Sequence, residues 1–186
     1  MIPHPDIAQI LVTPERIHQR LDEMAADISA TLAGRDVTAI VVMTGAFIFA
    51  ADLLRRFESI RMHVEPVAIK SYHGQNIRSA GKCEVKLAPS GNIAGRHVLI
   101  IDDIFDSGLT ISILKDMLAQ QSPVEIRACS LLYKQRTDLP KRPATPEWYG
   151  FEIPDEFVVG YGLDYNGRYR ELPYIGVLAE HARNLS

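Results

Sequence analysis

Cysteine and excess charge are both scarce in this chain, and each scarcity closes off a class of proteins. Two cysteines, Cys83 and Cys129, among 186 residues cannot build a disulfide framework or a zinc cluster, so reduced thiols are expected. Twenty Lys and Arg residues stand against 23 Asp and Glu, a formal net charge of -3. With no dense basic run, a nucleic-acid partner is not expected. A small phosphorylated ligand stays open, because a local site can be cationic or metal-bound inside an acidic protein. The longest apolar runs fall far short of the ~20 residues that cross a bilayer, so no membrane partner is expected either. The segment Met1-Ile2-Pro3-His4-Pro5-Asp6 lacks the basic stretch and apolar run of a secretory leader, and a cytoplasmic protein is the expectation. Internal repeats and low-complexity tracts are also missing.

What is present is a globular composition, 47% apolar, sized for one domain and one core. The first element reads as a helix. Thr13 offers an N-cap, Pro14 a pre-set first turn, and Ile17, Leu21, Met24, Ile28 and Leu32 form one apolar stripe that Gly34 ends. Val37 to Met43 is a β-branched run of strand length, followed by the loop Thr44-Gly45-Ala46 and a helix to about Phe57. Val64 to Ile69 reads as another strand. The polar stretch from Ser71 to Gly95 is long enough to suggest a functional loop, with a hairpin strand near Cys83 to Leu87. Val98-Leu99-Ile100-Ile101 is continuously apolar, as strands buried on both faces of a parallel sheet are. A helix carrying Ile111, Leu114, Met117 and Leu118 follows, stopped at Pro123, and then a strand from Ile126 to Tyr133. Alternating strands and helices predict an α/β fold with a central, mostly parallel sheet over residues 37–135. Trp148 to Ile153 and Phe157 to Tyr161 predict a small antiparallel C-terminal hood, built with N-terminal elements.

The most informative stretch is Ile100-Ile101-Asp102-Asp103-Ile104-Phe105-Asp106-Ser107-Gly108-Leu109-Thr110. It sets three carboxylates where a buried strand ends and small hydroxyl residues where a helix begins. In open α/β sheets ligands bind beyond the carboxyl ends of strands. A helix N-terminus presents free N–H groups and partial positive charge, and small residues let a phosphate come close. The acids could hold sugar hydroxyls or a hard metal ion shared with pyrophosphate oxygens. Together these suggest a sugar phosphate. An ordinary acid-capped strand–turn–helix remains an alternative on physics alone, whereas a Walker loop is excluded because no Gly-Lys-Ser/Thr is present there.

This run resembles the ribose-phosphate signature of the type I phosphoribosyltransferases at every position. Gly150-Phe151-Glu152-Ile153-Pro154-Asp155-Glu156-Phe157-Val158-Val159-Gly160-Tyr161-Gly162-Leu163-Asp164-Tyr165-Asn166 and Arg168-Tyr169-Arg170-Glu171-Leu172-Pro173 are similar to the C-terminal signature of the hypoxanthine-guanine phosphoribosyltransferase family. The resemblance spans about Val37 to Val177.

It implies the type I phosphoribosyltransferase fold and a purine-salvage enzyme. Phosphoribosyl diphosphate and hypoxanthine or guanine would give IMP or GMP and pyrophosphate with Mg²⁺. It implies that Asp106 manages a proton on the five-membered ring of the base. Asp106, Ser107, Gly108, Leu109 and Thr110 would bind the 5-phosphate, and Asp102 and Asp103 the ribose hydroxyls, directly or through Mg²⁺. Asp164 would hold a second Mg²⁺ on the pyrophosphate, which Arg170, Thr44, Gly45, Ser71 and Tyr72 would also contact. Lys134 would donate to the exocyclic oxygen of the base, Phe157 would stack on its ring, Val158 would pair through its backbone and Ile104 would pack on the opposite face. A homo-dimer or homo-tetramer is implied as well.

One departure concerns Met43-Thr44-Gly45, where the family commonly has Leu-Lys-Gly across a non-proline cis peptide. The backbone role survives at Thr44, the lysine side chain does not, and weaker pyrophosphate binding or altered subunit contacts are expected. Xanthine as a third substrate stays open. A regulatory module without catalysis is the competing class; it would tend to lose Asp106 and gain a basic face, and this chain has done neither.

Overall fold

The computed structural model describes residues 3–71, 83–87, 89, 91–139 and 141–183. Along the chain run β1 (Ile7–Val12), α1 (Pro14–Leu32), β2 (Asp36–Met43), α2 (Phe47–Leu54), β3 (Arg61–Ser71), β4 (Cys83–Leu87), β5 (His97–Phe105), α3 (Leu109–Ala119), β6 (Glu125–Lys134), β7 (Trp148–Ile153), β8 (Val158–Val159), β9 (Ile175–Leu178) and α4 (Glu180–Arg183). The main sheet has the order β4-β3-β2-β5-β6-β7. Five of its strands are parallel and β4 is antiparallel to β3. A second sheet, β1-β9-β8, is antiparallel and forms the hood.

The main sheet forms where the sequence is most continuously apolar. Val37, Ala39, Ile40, Leu99, Ile100 and Ile101 are all fully buried in β2 and β5, as strands covered on both faces must be. α1 covers one face with the predicted stripe, Ile17, Leu21, Met24, Ile28 and Leu32, each at most 2% exposed. Thr13 caps it, its Oγ1 accepting from the Arg16 amide, and Pro14 fills its first turn. Arg20 of α1 fixes the far edge of the sheet, its Nε donating to Gly150 O and its Nη2 to Tyr149 O, both at 2.9 Å.

The strand order creates the site. β2 passes through α2 to β3 on one side, whereas β5 passes through α3 to β6 on the other. The two loops at the carboxyl ends of β2 and β5 therefore diverge and leave a crevice, the switch point where open α/β sheets bind ligands.

Several expectations are corrected. Among the described residues the first element is strand β1 and not the helix at Thr13. Trp148 to Ile153 is not hood: it is β7, paired in parallel with β6 in the main sheet. β5 continues to Phe105, so Asp102 and Asp103 lie within the strand. α2 stops at Leu54, and α3 stops at Ala119, four residues ahead of Pro123. The hood is instead β8 with β9 and β1, packed on Ile7, Val159, Tyr169, Tyr174 and Leu178. The Tyr161 hydroxyl donates to Asp52 of α2 and ties the hood to the main body. Among the described residues no helix is long and apolar enough to cross a membrane.

Candidate active site

At the carboxyl ends of β2 and β5 lies a cavity of about 540 Å³. One wall is the contiguous run Asp102 to Ile111; the others are Val42 and Met43 at the end of β2 with Gly45 after it, Ile69 of β3, Arg136 and Leu139 after β6, and Asp164 and Arg170 from the loop beyond β8.

The phosphate-type part of this wall is set by Gly108. It starts α3 at φ +81° with no side chain capping the helix, a backbone conformation that suits glycine. A Cβ there would stand 2.8 Å from Ala144 O and 3.1 Å from the Phe105 ring. The open first turn of α3 thus faces the cavity with its amides, and Ser107 Oγ accepts from the Leu109 amide at 3.3 Å.

The acid pair stands at the end of β5, Asp102 buried and Asp103 half-buried. Asp102 is only 4% exposed; its Oδ1 accepts from the Asp103 amide at 3.1 Å, and Asp103 Oδ1 accepts from the Ile104 amide at 2.9 Å. Burial first, and then the neighbouring Asp103 charge, push the Asp102 carboxyl well above the usual range. Burial also pushes Asp103 up, against the hydrogen bonds it accepts and the pull of Arg170. Adjacent carboxylates that ionise reluctantly suit a cation or sugar hydroxyls brought by a ligand.

This has a consequence for stability. An acid whose folded pKa is raised keeps its proton in the folded chain after the unfolded chain has lost it. Stability therefore falls as pH rises from the ordinary carboxylate value, about 4, toward the raised one. Asp102→Asn removes that liability while keeping an oxygen for the Asp103 amide. In chelator-treated protein without ligand, the variant should melt close to the parent at pH 4 and higher than the parent at pH 7. Parallel melting curves across that range would exclude the buried-charge account.

Asp103 also faces the loop after β2. A Cβ on Gly45 would fall 1.7 Å from Asp103 Oδ2, so backbone and carboxylate are stacked without an intervening side chain. The Met43–Thr44 peptide is cis, as the resemblance implies. On the hood side, Arg170 Nη2 pairs with Asp164 Oδ1 at 2.7 Å and its Nη1 donates to Gly162 O at 2.6 Å. Asp164 Oδ2 accepts from the Gly167 amide at 2.7 Å. Among the described residues no three side chains form a ready metal cage. Paired hard carboxylates beside a phosphate-type cradle fit a magnesium-like ion, which takes one or two carboxylates and completes its shell from water and phosphate.

Of the residues singled out in the sequence, the cavity brings together Gly45, Asp102, Asp103, Ile104, Asp106, Ser107, Gly108, Leu109, Thr110, Asp164 and Arg170. Thr44, Lys134, Phe157 and Val158 are not in its lining. Lys134 Nζ pairs with Asp155 Oδ1 at 3.0 Å, its side chain 13% exposed. Phe157 is 41% exposed, edge-on to Tyr165 at 5.4 Å. Val158 is buried in β8 and pairs with Val177. Tyr72 lies outside the described residues, and of Ser71 only the backbone is described, at the end of β3.

Arg136 and Leu139 were not singled out by sequence reasoning. Arg136 Nη1 donates to Asp106 Oδ1 at 2.7 Å, and its hydrogen bonds to Asp138, with the Asp106 charge, push the guanidinium further up. An arginine in a polar loop carries no periodic signal, so only the folded contacts reveal it.

A phosphoribosyl transferase domain family model matches residues 8–166. The chain is 40% identical to the hypoxanthine-guanine phosphoribosyltransferase of Mycobacterium avium, over 93% of this chain and 86% of that one. Its identity to the protein of the same name from Bacillus subtilis is 37%, over 93% and 94%. A crystal structure of a hypoxanthine phosphoribosyltransferase from Staphylococcus aureus superimposes with a TM-score of 0.87 at 32% identity, covering 96% of this chain and 95% of the other. The chain therefore belongs to the phosphoribosyl transferase family and, within it, to the hypoxanthine-guanine phosphoribosyltransferases, and it is a transferase.

Proposed function

We propose that the chain transfers the 5-phosphoribosyl group of phosphoribosyl diphosphate to hypoxanthine or guanine, giving IMP or GMP and pyrophosphate. The observation that carries this reading is one cavity holding the open first turn of α3, the acids Asp102, Asp103 and Asp106, and Arg170 on the facing wall.

The new bond joins a ring nitrogen of the base to C1 of the sugar, and the bond that breaks is the one from C1 to pyrophosphate. The 5-phosphate is held by the α3 amides with Ser107 and Thr110, which fixes the sugar over Asp102 and Asp103. Mg²⁺, when bound at Asp102, Asp103 and Asp164, supplies charge neutralisation on the pyrophosphate oxygens. Arg170 adds a guanidinium to the same leaving group, where charge develops as the bond breaks. Asp106 takes the proton that the purine ring gives up as its nitrogen becomes glycosylated. Lys134 is the last residue of β6, at the same end of the sheet, and donates to the 6-oxo group, with Phe157 against the ring, Val158 offering its backbone and Ile104 packing opposite. Gly45 and Thr44 present their backbone to pyrophosphate, a ligand that the family resemblance also assigns to Ser71 and Tyr72.

A donor aimed at an oxo group meets another donor when adenine brings its amino group, and such mismatches reach ~10⁴-fold in discrimination. Purified protein with phosphoribosyl diphosphate, Mg²⁺ and each of hypoxanthine, guanine, xanthine and adenine provides the test. IMP and GMP should form and AMP should form roughly 10⁴-fold less efficiently. No nucleotide from any base would reject the catalytic reading.

A further inference from the structure

Arg136 lines the cavity yet has no part in the reaction as described so far. Its contacts are unusually directional. Nη1 donates to Asp106 Oδ1 at 2.7 Å, while Nε and Nη2 each donate to a different oxygen of Asp138 at 2.7 Å. Nε also lies 3.4 Å from Asp155 Oδ2, and Asp155 Oδ1 pairs with Lys134 Nζ at 3.0 Å. A guanidinium is planar, and a carboxylate gripping one edge in a fork fixes where its remaining N–H groups point. Asp138 holds the outer edge in this way and leaves Nη1 aimed at Asp106.

The loop that carries Arg136 is itself anchored. Arg142 donates from Nη2 to Lys134 O at 2.6 Å, and its guanidinium stands 4.8 Å from the centres of both the Phe105 and Tyr133 rings. Asp106, Arg136, Asp155 and Lys134 thus form one chain of charge contacts. It runs from the carboxylate at the five-membered ring of the base to the ammonium at its oxo group, in the roles proposed above.

We propose that Arg136 is a positioning residue: held by Asp138, it fixes the direction of the Asp106 carboxylate. This rests on the preceding reading of Asp106. It differs from direct phosphate binding, the other role a cavity-lining arginine can take, because its effect passes through Asp106.

Steady-state turnover of hypoxanthine is to be compared for the wild type, Arg136→Gln, Arg136→Lys, Asp106→Asn and the Arg136→Gln/Asp106→Asn double variant. Misplacement of a reacting group by about 1 Å costs up to ~10²-fold. Arg136→Gln should therefore lower kcat about tenfold to a hundredfold, with KM for phosphoribosyl diphosphate and Kd for IMP within about threefold of the wild type. Arg136→Lys keeps one donor toward Asp106 and should recover part of kcat. In the Asp106→Asn background, adding Arg136→Gln should change kcat by less than about threefold, since a residue acting through Asp106 has nothing left to position.

Losses that multiply in the double variant overturn the proposal, as does a raised KM for phosphoribosyl diphosphate at unchanged kcat. If Arg136→Gln does not fold, the same comparison is made with Arg136→Lys, alone and on Asp106→Asn. A wild type inert toward every base removes the catalytic reading and this proposal together. An active wild type with multiplying losses removes this proposal alone.

Discussion

Asp106→Asn should turn over hypoxanthine ~10²–10⁴-fold more slowly than the wild type while binding IMP with nearly unchanged affinity. The size of the loss follows from where the side chain stands. Asp106 is the first residue beyond β5, lines the cavity and is 36% exposed along its side chain. It is close enough to the crevice to meet a base and open enough to exchange a proton. In the proposed reaction the next four residues carry the 5-phosphate site, so a nucleotide anchored there would have its glycosidic nitrogen within reach of the preceding carboxylate. Asparagine has the same shape and keeps an oxygen for Arg136 Nη1, now 2.7 Å from Asp106 Oδ1. What it cannot do is accept the proton released as the ring nitrogen becomes bonded to C1. An interaction made only in the transition state lowers kcat and kcat/KM together, and that pattern is the signature to look for beside calorimetric binding of IMP. Unchanged turnover would remove the proton role from Asp106. An equal loss in IMP affinity would make it a binding residue instead.

The parts of the fold that the sequence revealed are those where burial leaves a periodic or continuous trace. Val98 to Ile101 sits between neighbours on both sides and is apolar without interruption; the helix stripe from Ile17 to Leu32 repeats with the turn of a helix. The misread parts have weaker traces. β7 lies at the edge of the parallel sheet, and only Ile153 of its six residues is fully buried, so Trp148 to Ile153 carries the mixed polarity of a half-covered antiparallel strand. β1 pairs with β9 through two irregularities in register, which erase the alternation that would have marked it. The site divides along a similar line. Asp102 to Thr110 is one continuous stretch, so a single strand–turn–helix places all its groups and physics alone can find them. Asp164 and Arg170 reach the same cavity from the loop beyond β8, and only the family resemblance singled them out. Arg136 had neither advantage: its partner Asp106 lies thirty positions earlier in the chain.

That three separate loops meet at one point makes Gly45→Ala the other substitution with a large expected effect, a fall of about 10²-fold in kcat/KM for phosphoribosyl diphosphate. An added Cβ would lie 1.7 Å from Asp103 Oδ2 and 2.6 Å from its Cγ, closer than non-bonded atoms can stand. The Asp103 carboxylate has a short stem, and its Oδ1 is held by the Ile104 amide at 2.9 Å, so it yields only by giving up that bond. The loop cannot simply retreat either. Gly162, at φ +104°, packs behind it so tightly that a Cβ there would be 2.2 Å from Gly45 O, and the same Gly162 offers its carbonyl to Arg170 Nη1 at 2.6 Å. Relief of the clash therefore shifts either Asp103, on the ribose and metal side, or Gly162 with Arg170, on the pyrophosphate side. Both groups touch phosphoribosyl diphosphate in the proposed reaction, so either shift weakens the same substrate. The base should be affected less, because Lys134 and Phe157, its proposed contacts, lie outside this region. Melting temperature separates this from unfolding: the methyl group enters the cavity wall, not the core, and the transition should stay cooperative. Full activity in Gly45→Ala would mean that Asp103 is free to leave its place without consequence, and the acid pair would then have no role in holding the sugar or its metal ion.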